Sequence, residues 1–313
     1  MEDKIKSIVE RELKAKVISI KRITEGYSHY MYLVKTDKTP FEVIVRFSNN
    51  SREDVCLEKE KFIIETLRKN RIPAPKILAF SKEYMILEKF EGERLDLIWE
   101  KLTKAEKAYI TEKMGRMLKD VHSITFEEFG KIKGDGKIDA DKSFKFRKAG
   151  TQLKYNNWIR EVTKEFLKDY ARLLSYGHVN KNLMIRINQY VLNNITHLKY
   201  IGKPVLIHGD FQKGHIFVRK IEGEYKIIGV IDFEFANSSA PEYDFIKLHR
   251  EGFFNDKILM KALERGYGRS INKKALSVYR IMRDMMFAQV MLDAGNNQLA
   301  DKVLKNLSQK LNS

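Results

Sequence analysis

The hydrophobic pattern changes period near residue 90. Before it, Ile18 to Thr24 and Tyr30 to Lys35 read as strands joined through Glu25-Gly26-Tyr27-Ser28-His29. In the next run Phe41, Val43, Val45 and Phe47 alternate onto one face and leave Glu42, Ile44 and Arg46 on the other. From Arg52 to Asn70 the period becomes helical: Cys56, Glu60, Ile64 and Leu67 fall within about 40° of one line, so a carboxylate sits in an apolar stripe and wants a cation. Pro73 and Pro75 end that helix, and Tyr84 to Glu88 reads as another strand. Glu91-Gly92-Glu93 then reads as a linker. Beyond it Ile110, Met114, Met117, Leu118 and Val121 keep the spacing of a core-facing helix. The rest reads as mainly helical, except for a small β region: Val205-Leu206-Ile207, His215 to Arg219 and Tyr225 to Asp232, with Glu222-Gly223-Glu224 as a hairpin turn. An α+β protein is expected, with a β-rich lobe over residues 1–90 and a larger, mainly α lobe over 91–313.

Composition narrows this picture. At 43% hydrophobic and 11% aromatic residues, 313 residues can bury a sizeable core. A single cysteine, Cys56, excludes an internal disulfide and a cysteine-based zinc framework and fits a reducing compartment. The N-terminus starts charged without an apolar leader core, and the most apolar stretch, Met285 to Leu292, is far shorter than the roughly 18 residues that span a bilayer. A soluble, cytoplasmic monomer is expected. The formal charge is +17 and is unevenly placed: residues 140–203 hold 13 basic against 4 acidic side chains, net +9. Such a surplus suits nucleic acid, phosphorylated ligands or anionic surfaces, or it records a Lys-rich composition with no ligand behind it.

The densest chemistry lies in the small β region. His208-Gly209-Asp210 leaves one strand end, His215 follows five residues after Asp210, and Ile231-Asp232-Phe233 ends the next hairpin strand. Two carboxylates at neighbouring strand ends can converge on one point. Phosphoryl transfer needs such a point, with one carboxylate to take the acceptor's proton and others to hold the metal ions that neutralise phosphates.

The run from His208 to Phe217, the run Ile231-Asp232-Phe233-Glu234, and Pro241-Glu242-Tyr243-Asp244 resemble the aminoglycoside phosphotransferase and choline kinase superfamily, relatives of the protein kinases. The segments Glu60 to Leu67, Ile72 to Leu78, Tyr84 to Gly92 and Gly115 to His122 extend the resemblance over most of the chain. It implies a bilobal, protein-kinase-like fold and a nucleotide-dependent phosphotransferase using ATP or GTP with Mg2+. By that resemblance Asp210 is the catalytic base, Asp232 and His215 are metal ligands, and Arg46 contacts phosphates while pairing with Glu60. Glu88 and Phe90 would meet the base through their backbones, Gly26 and Ser28 would lie over the phosphates, and His208 and Asp244 would brace the catalytic loop.

The chain departs from the pattern in three places. His215 stands where asparagine is usual, although some aminoglycoside 2''-phosphotransferases resemble the chain there; as a ligand it must be neutral, so activity is expected to fall at mildly acidic pH. Arg46 replaces a lysine, and Gly26 stands alone in its loop. Glu234, Glu242 and Asp284 are the candidate acceptor contacts. The basic 140–203 insertion disfavours a polycationic acceptor unless Glu161, Glu165 and Asp169 face inward. A hydroxyl-bearing small molecule is the first expectation; a protein- or nucleic-acid-docked relative, or a non-catalytic nucleotide-binding scaffold, are the alternatives.

Overall fold

The structure is a computed structural model and describes residues 1–24, 29–48, 56–139 and 157–311. Gly26, Ser28, Phe144, Phe146, Tyr155 and the first part of the 140–203 insertion lie outside the described residues. No helix among the described residues is long and apolar enough to cross a membrane.

The chain opens with helix α1 (Glu2–Leu13), which the strand-centred reading of the sequence missed; Ile5, Ile8 and Val9 bury its inner stripe. Strands β1 (Val17–Ile23), β2 (His29–Thr36) and β3 (Glu42–Ser48) follow as an antiparallel meander, then α2 (Leu57–Lys69), β4 (Ile77–Phe80) and β5 (Tyr84–Glu88). The sheet order is β1-β2-β3-β5-β4, with β4 another element that the sequence pattern did not predict. Alternation along β3 sorts its side chains as expected, apart from Phe41, which lies exposed outside the strand. Val43, Val45 and Phe47 join α1 and β2 in one apolar cluster, and Arg46 turns to the opposite face, where α2 lies.

The expected linker is tied down. Glu93 and Arg94 form a short strand, β6 (Glu93–Arg94), that pairs with Val218 and Phe217. Helices α3 (Leu95–Ile98) and α4 (Lys104–Val121) follow; Thr103 and Glu106 close a capping box at the start of α4. Strands β7 (Gly130–Ile132) and β8 (Ile138–Asp139) precede α5 (Asn157–Leu174) and α6 (Lys181–Asn194). Then come β9 (Val205–Ile207), β10 (Ile216–Ile221), β11 (Glu224–Val230) and β12 (Asn237–Ser239), and four helices: α7 (Phe245–Arg250), α8 (Lys257–Tyr267), α9 (Lys273–Asp293) and α10 (Asn297–Lys310). Two small sheets, β11-β10-β6 and β8-β7-β12-β9, bring the ends of β9 and β11 together. The β10–β11 turn is closed by Glu222 and Gly223, both with positive φ (53° and 86°), as a two-residue hairpin turn requires.

Helices α4 and α8 cross where two glycines meet. A methyl group on Gly115 would overlap the Leu263 carbonyl, and one on Gly266 would overlap that of Glu112. Because both obstacles are backbone, neither can swing aside. Gly266→Ala should therefore lower stability by about 1–3 kcal/mol, the usual cost of overpacking. Urea unfolding checks this, and an unchanged midpoint would show that the helices can separate freely.

Candidate active site

Asp210 lies just past β9 and Asp232 just past β11. Gly209 makes the first turn possible: its φ is +80°, and a Cβ there would strike the Phe235 backbone. Asp244 secures that turn from below. Fully buried, it accepts the N–H groups of His208 and Gly209, both at 2.7 Å, and its Oδ2 lies 3.1 Å from His122 Nε2. His122 reaches on to the Tyr267 hydroxyl at 2.8 Å. His208 is equally committed. Its Nε2 lies 2.9 Å from the Ile231 carbonyl and its Nδ1 accepts the Asp210 N–H at 3.3 Å, which requires the proton on Nε2. The ring thereby ties the base of the Asp210 loop to the strand end that carries Asp232.

Arg46 joins the sheet to this region. From β3 its Nη1 donates to Glu60 on α2 at 2.6 Å, and its Nη2 lies 3.2 Å from Asp232 and 3.3 Å from Glu234. Lys59 donates to the Glu234 carbonyl at 2.9 Å. Glu234 thus sits in the Arg46 cluster, beside Asp232, and not in a separate acceptor pocket. Three carboxylates, Glu60, Asp232 and Glu234, converge on the one Arg46 guanidinium, with the Lys59 ammonium close by on the Glu234 carbonyl. Burial pushes the Glu60 carboxyl up to about 7; Arg46 and Lys59 oppose the shift, while Asp232 and Glu234 add to it. Burial acts on Asp232 in the same sense, but the Arg46 guanidinium beside it outweighs burial and holds this carboxyl below its ordinary range. Asp232 itself sits in the left-handed region at φ 70°, which aspartate tolerates better than most residues.

His215 lies in the 3-10 turn before β10 and not in the strand itself. Its Nδ1 faces the Asp210 carbonyl at 2.9 Å, so Nδ1 carries the proton. Burial lowers its pKa, with Asp232 and Asp210 opposing and His208 assisting, so the ring stays neutral. Its Nε2 lone pair then faces Asp232 Oδ2 at 3.4 Å and Gln212 Nε2 at 3.3 Å. A lone pair and a carboxylate oxygen pointed at each other, beside a surplus of carboxylates, fit a divalent cation. No group of three or more His, Cys, Asp or Glu side chains in metal-holding geometry occurs among the described residues.

The Asp210 carboxylate has two differently occupied oxygens. Oδ2 accepts from Gln212 at 2.7 Å and lies 3.8 Å from His215 Nδ1. Oδ1 lies 2.7 Å from Lys247 Nζ and 3.8 Å from Arg283 Nη2, yet is buried with no aligned hydrogen bond among the described residues. Sequence reasoning missed Lys247, Arg283 and Gln212. Lys247 was within reach of it, three positions after Asp244, but Arg283 lies far away in the sequence and only the packing of α9 delivers it.

The other expected contacts are placed differently. Glu242 is paired with Arg269 at 2.8 Å, and Asp284 with Arg250 and with Lys310, the latter at 2.8 Å. The Glu88 N–H is spent on the Lys76 carbonyl at 2.9 Å, which leaves only its C=O for a base. The Phe90 ring packs on Phe217, centroids 5.5 Å apart, and leaves room only for glycine at Gly229. Trp158 and Phe166 are buried in the core, and Glu165 is exposed. Glu161 pairs with Arg160 at 3.3 Å. Asp169 is partly buried and raised to about 6, first by burial and then by Glu165.

The phosphotransferase enzyme family model matches residues 19–282, and the chain belongs to that family. No curated protein sequence matches it. Among solved structures it is similar to the GDP and kanamycin complex of APH(2")-IIia, with TM-score 0.72 and 13% identity over 98% of this chain and 97% of that one. A streptomycin–ATP–APH(2")-IIa ternary complex gives 0.67 and 17% over 99% and 96%. The macrolide 2'-phosphotransferase MphH from Brachybacterium faecium, as apoenzyme, gives 0.64 and 14% over 96% and 97%. At these identities the likeness is one of fold, and that fold is the bilobal, kinase-like one.

The raised Glu60 pKa has a signed consequence. Between its ordinary 4.5 and about 7 the folded protein holds a proton that the unfolded chain has released. Glu60 therefore contributes stability below the ordinary value that is lost as pH rises toward 7. Denaturant unfolding from pH 4.5 to 7.5 should show a steeper decline with pH in the wild type than in Glu60→Gln; parallel profiles would place the proton elsewhere.

Proposed function

We propose that the chain is a nucleotide-triphosphate-dependent kinase that moves a γ-phosphate to a hydroxyl of a small molecule. The observation that supports it most is the convergence of Asp210, Asp232 and His215 beside the Arg46–Glu60 pair. Residues 1–90 form the nucleotide lobe in this reading, with Gly26 and Ser28 over the phosphates and the Glu88 carbonyl and the Phe90 backbone at the base. Residues 91–313 supply the catalytic and acceptor side.

Asp210 Oδ1 takes the proton of the attacking hydroxyl. It is suited to this because it is buried, it lacks an aligned donor, and its partner oxygen is already held by Gln212. The hydroxyl oxygen bonds to the γ-phosphorus as the bond to the bridging oxygen breaks, and the nucleoside diphosphate leaves with that electron pair. Arg46 contacts the donor's phosphates and is kept in place by Glu60. Asp232 and the neutral His215 would hold Mg2+, which when bound neutralises phosphate charge. His208 and Asp244 touch neither substrate; they fix the loop on which Asp210 stands.

The carboxylates around Asp210 do not form a cage for a polycation. Glu242 and Asp284 carry their own cations, and Glu165 is exposed. ATP and GTP both remain donors in this reading, since both would be held through backbone groups of the hinge.

Asp210→Asn should cut transfer by about 10²–10⁴-fold while nucleotide affinity changes little. The check is transfer from ATP and GTP labelled in the γ-phosphate, with acceptors and products identified by mass. Wild-type rates in this variant would remove Asp210 from the chemistry.

A further inference from the structure

The two oxygens of Asp210 divide the site into a donor side and an acceptor side. Oδ2 looks toward Gln212 and His215, and through His215 toward Asp232 and Arg46. Oδ1 looks toward the seam between α7 and α9, and that seam is strongly cationic. Lys247 approaches Oδ1 from α7 and Arg283 from α9.

Among the described residues neither cation has an ion-pair partner other than Asp210. Arg283 is oriented by a phenol: its Nη1 donates to the Tyr243 hydroxyl at 2.8 Å, and its guanidinium lies over that ring at 5.6 Å. Tyr243 is in turn packed edge-on to Trp158 and Tyr279, which hydrogen-bond each other. One turn earlier on α9, Arg280 meets the His249 imidazole at 3.3 Å, and its Nε is buried without a hydrogen-bond partner among the described residues. The nearby carboxylates are already committed: Asp284 to Arg250 and Lys310, Glu242 to Arg269, Asp244 to the loop N–H groups and His122. Glu251, at the end of α7, accepts the Lys213 N–H at 3.3 Å. Glu251 and Asp244 act on Lys247 and Arg283 only at longer range, so the carboxylate that both cations approach most closely among the described residues is Asp210, which the reaction needs for a hydroxyl.

We infer that the acceptor is a small hydroxylated anion, whose carboxylate or phosphate is held by Lys247 and Arg283 while its hydroxyl reaches Asp210 Oδ1. This rests on the kinase reading above. The bound anion draws Lys247 off the carboxylate and satisfies both cations, and Arg283 offers a preset fork that matches a planar or tetrahedral oxyanion. An amine-rich acceptor would meet two like charges here, with the one carboxylate of Asp210 already shared between them.

The test uses the full-length chain with Mg2+, ATP and GTP and a matched set of acceptors: a polyhydroxy acid, the corresponding sugar phosphate, the uncharged polyol and the amino polyol. One of the two anions should exceed the uncharged polyol by about 100-fold in kcat/KM, and which one does identifies the oxyanion. Arg283→Met should collapse that preference through KM for the anion, and Arg283→Lys should keep part of it; the folding of both is checked by thermal unfolding. A preference for the uncharged or amino polyol would overturn the inference and leave the kinase reading standing. An equal loss for all acceptors together with a raised KM for nucleotide would also overturn it, by giving the cations to the donor. If no phosphate moves to any acceptor, the kinase reading fails, and calorimetry with the two anions decides the inference alone: saturable binding lost in Arg283→Met upholds it, and no binding overturns it.

Discussion

One buried guanidinium joins the parts of the proposed catalytic site. Arg46 stands on the middle strand of the N-terminal sheet and touches Glu60 on α2 as well as Asp232 and Glu234 beyond β11. Those four side chains come from three separate parts of the chain: β3, α2 and the segment after β11. Burying so many charges is costly, and Arg46 offsets that cost by meeting one oxygen of each carboxylate, while Glu60 Oε2 and the Arg46 Nε stay buried without a hydrogen-bond partner among the described residues. Burial and the crowding of carboxylates on one guanidinium keep the Glu60 proton on up to about pH 7, which a packed apolar core would not do.

A second set of contacts holds the other half of the site rigid. Asp244, with no exposed surface to speak of, clamps the turn at Gly209, and His208 bridges that turn to the Asp232 strand end. The two carboxylates expected to do chemistry are therefore set by backbone geometry on one side and by Arg46 on the other. Side-chain flexibility has little room to act.

Much of this was legible in the sequence, for identifiable reasons. Alternation along β3 put Arg46 opposite Val43 and Val45, and helical periodicity put Glu60 in an apolar stripe, so each was marked as a charge needing a partner. The spacing of Asp210, His215 and Asp232 around a hairpin was equally visible. What could not be read was long-range pairing. Nothing local says that the Glu91-Gly92-Glu93 segment runs into a strand paired with β10, or that β4 exists beside two prolines. Glu234, Glu242 and Asp284 looked like open carboxylates because their partners Arg46, Arg269, Arg250 and Lys310 lie elsewhere in the chain. Lys247 and Arg283 went unread for the same reason. The net charge of +17 was noticed at once, but its weight fell on the insertion, whereas the cations closest to Asp210 come from α7 and α9. The described helices of that insertion, α5 and α6, pack against α9 and so support the cationic seam from behind.

The most direct measurement is a crystal structure of the full chain with Mg2+ and a non-hydrolysable triphosphate. It should show an ion about 2.1 Å from an Asp232 oxygen and from phosphate oxygens, with the terminal phosphate near Arg46 and open toward Asp210 Oδ1. A triphosphate bound away from Asp232, or an Arg46–Glu60 pair separated from both carboxylates with nucleotide in place, would contradict the account.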